Sequence, residues 1–140
     1  MSTDEKSAIN ENFIYWYKLF FIRITTNLGV RRVRTFKIES LDDLLEVLKV
    51  LANPTRLRIV ALLARRPMYV SEIARELRVP YPLVHLYLSK LEQVGIVRSR
   101  YEFVRSERPH VRRYCELVDF RVVVSPEAIR RLAGGEEREG

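Results

Sequence analysis

The sequence predicts a mainly α-helical fold closed by one β-hairpin, an α+β architecture, on three observations. Apolar residues recur at helical spacing from Leu41 to Val94. The period then drops to two after Gly95. Capping and breaking residues (Ser40, Asn53-Pro54, Ser71, Pro82, Gly95) stand where each helix should start or stop.

Ser40-x-x-Asp43 reads as a capping-box start, with Asp42 and Asp43 favourable against the helix dipole. Leu41, Leu44, Leu45, Leu48 and Leu51 then follow one helical repeat. Asn53 caps a second helix opened by Pro54 and running to about residue 64. Its IVALLA run is apolar nearly all round and predicts a central position. Met68–Val70 reads as a short strand, and Ser71 as the cap of a third helix, SEIARELR. VPYP (79–82) is a tight turn, and Pro82 opens a fourth helix to about Val94, closed by Gly95.

IVRSRYEF (96–103) and VRRYCELV (111–118) alternate as two strands of a hairpin around a charged loop, 104–110. VVV (122–124) predicts a further short strand. Ser125-Pro126 starts a last helix that ends at Gly134-Gly135. The chain divides into an extension (1–39), a central domain (40–120) and a C-terminal strand, helix and polar tail (121–140).

Residues 1–28 are rich in Ile, Asn, Phe, Tyr and Lys, whereas arginine dominates from Gly29 on. FIYWYKLFFIRI (13–24) is too short for a membrane span of about 20 residues. It reads as a strand or hairpin, as an apolar helix at a dimer interface, or as upstream sequence before a native start near Val30 or Val33. The composition break favours the last reading.

The formal net charge is +7, and all but five of the 25 basic residues are arginine. This balance points to a polyanionic partner, nucleic acid before membrane. Cys115 is the only cysteine, so no intramolecular disulfide forms and a reducing, cytoplasmic setting fits. One cysteine and two histidines cannot close a four-ligand zinc site, and no cofactor is expected. No Gly-rich phosphate loop or nucleophile–base–acid grouping points to an enzyme.

Helix, turn, helix and hairpin in this order make a winged helix-turn-helix. A helical wheel on 82–94 puts Val84, Tyr87, Leu88, Leu91 and Val94 toward the core. Pro82, His85, Leu86, Ser89 and Gln93 then face outward, with Tyr81 at the helix start, as a surface for the major groove of double-stranded DNA. No arginine lies on this face, so the strongest guanine reader is missing. Residues 98–113 carry six arginines against two glutamates. Of these, Arg98, Arg100, Arg105, Arg108 and Arg112 are assigned to the DNA backbone or minor groove, with Arg105 and Arg108 at the tip the strongest candidates.

LKVLANPTRLRIVALL (48–63), SEIARELRVPYPLVHLYLSKLEQVGIV (71–97) and the hairpin resemble the ArsR family of winged-helix transcriptional regulators over about residues 40–120. The resemblance implies a dimeric DNA-binding regulator whose first and last helices pair across the dimer, here through Leu41, Leu44, Leu45, Leu48, Ile129 and Leu132. SEIARELR lacks the cysteines of metal-sensing members, so metal sensing is not carried over. A winged helix used for protein contact, with Tyr81, Leu83 and Leu86 as the docking face, is the alternative; RNA binding by the hairpin is a third.

Overall fold

The computed structural model describes residues 36–137, all within the compact unit Val33–Gly140. The readings of segment 13–24 and of a start near residue 30 or 33 lie outside the described residues. The element order is α1 (Leu41–Leu51), α2 (Pro54–Leu63), β1 (Met68–Tyr69), α3 (Val70–Leu77), α4 (Tyr81–Gln93), β2 (Val97–Val104), β3 (His110–Leu117) and α5 (Pro126–Glu137). Four helices followed by a β-ribbon is the winged helix-turn-helix arrangement.

The first two helices start where their caps dictate. The Ser40 hydroxyl accepts from the Asp43 amide at 3.1 Å, and the Asp43 carboxylate accepts from the Ser40 amide at 3.1 Å. Asn53 Oδ1 accepts from the Arg56 amide at 2.9 Å, with Pro54 in the first turn, where no donor is lost. Arg56 then turns back and donates to the carbonyls of Val50 and Lys49, occupying acceptors that the end of α1 would leave open.

The third helix begins earlier than Ser71. Val70 is its first residue and is buried, because the Glu72 carboxylate accepts from the Tyr69 amide at 2.8 Å and supplies the cap. Arg78 ends α3 in the left-handed region (φ 53°), and Gly95 (φ 81°) turns the chain from α4 into β2.

The sheet has the order β1-β3-β2, all antiparallel, with Tyr101 opposite Arg113 and Tyr69 opposite Tyr114. Val122–Val124 form no strand, and the sheet ends at β1 and β2. α5 runs through Gly134 and Gly135 rather than stopping there. Glycine costs a helix about 1 kcal/mol, but ends it only where the backbone turns left-handed, and neither glycine has positive φ.

The core gathers Ile59 of α2, Ile73 of α3, Val84, Leu88 and Leu91 of α4, Ile96, and Met68, Val97 and Cys115 of the sheet. α2 buries one strip and not its whole circumference: Ile59 and Leu63 are inside, while Leu57 is half exposed and Ala61 faces solvent. The apolar run therefore overstates its burial.

Candidate nucleic-acid interface

α4 and the β2–β3 ribbon make one surface. Val84, Leu88 and Leu91 seat α4 in the core. The strip at His85, Ser89 and Glu92 turns toward the ribbon, and Leu83, Leu86 and Lys90 turn to solvent. The exposed ridge is thus displaced by roughly a fifth of a turn from the wheel's assignment.

His85 is the clear correction. It was expected to face outward but is 3% exposed. Arg113 Nη1 donates to its Nδ1 at 3.3 Å, and the Tyr81 ring meets it edge-on at 4.7 Å between centroids. Burial, with the Arg113 charge beside it, pushes its pKa down to about 3, so the ring is neutral with Nδ1 as acceptor. Ser89 is half buried; its hydroxyl donates to the His85 carbonyl at 2.9 Å and accepts from Arg113 at 3.4 Å, which leaves it little to offer a base edge. Tyr81, Pro82 and Gln93 are half buried, and Leu86 is exposed. Tyr87 and Val94, expected in the core, are only partly covered; the Arg56 guanidinium lies over the Tyr87 ring.

The ribbon's arginines play three different parts. Arg113 is buried and bonded to α4, its Nη2 2.8 Å from Glu92 Oε2 and its Nε 2.9 Å from Ser99 Oγ. Its charge is compensated inside the protein, so the ribbon's outward positive excess is smaller than the sequence count. Arg98 and Arg100 are exposed and paired loosely with Glu116 at 3.4 Å and Glu102 at 3.5 Å. Arg100 also caps the Tyr114 ring, and half-buried Arg112 stacks on Tyr69 at 3.6 Å from the ring centroid. Tyr69 in turn donates to Glu102 at 2.7 Å, which stiffens the outer sheet face.

Arg105 and Arg108 sit in the exposed loop, with no carboxylate within ion-pair distance among the described residues. Lys90, Arg75 and Arg78 are exposed cations on α4 and α3 that the sequence reading did not single out. For Lys90 the signal was available: it lies at i+4 from Leu86 and i+7 from Leu83.

The expected dimer residues divide. Leu44 is 5% exposed and belongs to the monomer's own interior, a correction. Leu41 and Leu132 are half buried, while Leu45, Leu48 and Ile129 are exposed. α1 and α5 pack against each other, so these apolar side chains lie on adjoining helices.

Among the described residues no helix is long and apolar enough to cross a membrane, and no group of three or more His, Cys, Asp or Glu is placed to hold a metal ion.

A family model described as "Bacterial regulatory protein, arsR family" matches residues 53–99, which span α2 to the start of β2. An uncharacterized HTH-type transcriptional regulator of Methanocaldococcus jannaschii is 29% identical over 93 residues, covering 66% of this chain and 95% of the relative. A second such regulator from the same organism is 38% identical over 66 residues, 46% of this chain and 74% of the relative. A possible transcriptional regulatory protein of Mycobacterium bovis aligns in structure with a TM-score of 0.49 at 27% identity, covering 71% of this chain and 91% of that one.

Proposed function

The chain belongs to the arsR family of bacterial regulatory proteins, and from that membership we propose that it is a cytoplasmic, sequence-specific transcriptional regulator that binds double-stranded DNA as a homodimer. α4 enters the major groove with Leu83, Leu86 and Lys90 foremost, flanked by Tyr81, Pro82 and Gln93. The ribbon follows the backbone or the minor groove, with Arg105 and Arg108 on phosphates and Arg98, Arg100 and Arg112 behind them. Leu45, Leu48 and Ile129 meet their counterparts across the dimer.

One observation carries this reading: α4 packs its His85–Ser89–Glu92 strip on the ribbon and leaves a separate ridge exposed, while the ribbon's tip arginines have no carboxylate partner among the described residues. Cations left uncompensated next to an exposed helix face suit a polyanion. The ridge offers Lys90 but no arginine, so discrimination leans on thymine methyls, on A·T pairs and on groove shape.

A salt-dependent gel shift on genomic fragments tests the proposal. Neutralising about six phosphates gives a slope near −5 in log K against log salt. Exposed Leu83 and Leu86 are the basis of a second reading, an apolar docking face for another protein. No DNA bound at low salt would favour it.

A further inference from the structure

We infer that Arg113 and Glu92 form a positioning element that sets the angle of the β2–β3 ribbon against α4, and that this angle governs how well specific DNA is told from random DNA. The inference rests on the DNA-binding reading above.

Arg113 lies at the centre of β3, on the sheet face turned to α4. Its guanidinium donates to Glu92 at 2.8 Å, to Ser99 at 2.9 Å, to His85 Nδ1 at 3.3 Å and to Ser89 at 3.4 Å. The three α4 partners are spaced i, i+4 and i+7, one strip of the helix, and the fourth is on β2. A planar fork with fixed N–H directions meets such a set in one orientation, whereas a lysine ammonium would not. Apolar packing has no comparable directionality.

Beyond Arg113 the ribbon's outer face is braced by Tyr69, which bonds Glu102 and lies under Arg112, but its face toward α4 is only loosely covered. Tyr101 is partly exposed and Phe103, on the same sheet face, is 64% exposed. Arg108 lies five positions before Arg113, a lever of up to about 17 Å, so a 10° swing at Arg113 displaces the tip by up to about 3 Å. Such a shift breaks a phosphate contact or moves α4 off its base edges. Random DNA tolerates it because non-specific binding needs charge and not register. Buried ion pairs add little net stability over apolar pairs of equal volume, so the fork's contribution is orientation.

The test uses the full chain and the pair Arg113→Met plus Glu92→Met, which keeps volume and removes the fork. Arg113→Lys keeps the charge alone. The probes are a duplex selected by the unaltered protein from a random pool and a shuffled duplex of the same composition.

Both variants are expected to retain shuffled-duplex affinity and to lose about tenfold on the selected duplex, the discrimination of one base contact. Amide residual dipolar couplings, measured without DNA, should show the ribbon losing a fixed orientation relative to α2–α4. An unchanged affinity ratio, or ribbon couplings that still fit the helices' frame in the double variant, overturns the inference. If the unaltered protein selects no duplex, the DNA-binding reading falls and takes the discrimination claim with it; the couplings then decide the strut alone.

Discussion

Arg113 Nη1 stands 3.3 Å from Nδ1 of His85, an imidazole kept neutral first by its burial and then by this neighbouring cation. Protonating His85 would place a second positive charge beside the first, with the Tyr81 ring edge-on to the imidazole.

Acid should therefore weaken the fold through this ring. The unfolded chain binds a proton near pH 6.5, whereas the folded one does so only near 3. The folded pKa is depressed, so the stability is present above pH 6.5 and is lost as pH falls toward 3, at up to about 1.4 kcal/mol per pH unit. Urea unfolding between about pH 6.5 and 5, before carboxylates titrate, should show this slope in the unaltered protein and not in His85→Gln. Equal slopes would reject the assignment.

Glu92→Ala should cost about 3 kcal/mol of unfolding free energy, because it strands a guanidinium with no access to water. The lower end of the range applies because Glu92 itself keeps some solvent contact. Chemical denaturation measures it; a change under 1 kcal/mol would mean the charge finds another partner.

Arg105→Ala together with Arg108→Ala should weaken binding to all duplexes alike and reduce the salt slope by about two. Stability should stay within about 0.5 kcal/mol, since both side chains are exposed. A loss confined to one DNA sequence would instead make them base readers.

Leu86→Ala and Gln93→Ala should alter which sequences are preferred in a binding selection, with Leu86→Ala nearly neutral for folding. His85→Ala should do the reverse, unfolding more easily through a lost core contact. Unchanged preference for both the Leu86 and the Gln93 variant would remove α4 from the groove.

Leu45→Glu combined with Ile129→Glu should give a monomer in sedimentation equilibrium, because two charges would face two charges across the dimer. The dimeric mass persisting at micromolar concentration would move the interface elsewhere.

The helices were readable because their signals are local. Ser40 with Asp43, and Asn53 with Pro54, mark the starts of α1 and α2, and the period change at Gly95 marks the ribbon. The orientation of α4 was less readable. A wheel states which residues share a face, but not what covers that face. His85, Ser89 and Glu92 form a polar strip that hydropathy assigns to water; a single inward arginine on a strand 21 residues further along turns it into an interior. The signal was the pairing of that strip with Arg113 at an inward strand position, and it became visible only once the register was known. The helix through Gly134 and Gly135 was missed for a different reason, because glycine permits a stop without requiring one.

Cys115 Sγ lies 3.6 Å from Ser99 Oγ, with no solvent exposure, and burial raises its pKa. Thiol reagents reach it only when the ribbon peels away from the helices. The rate at which native protein is alkylated thus becomes a clock for that peeling, built into the chain without any added label.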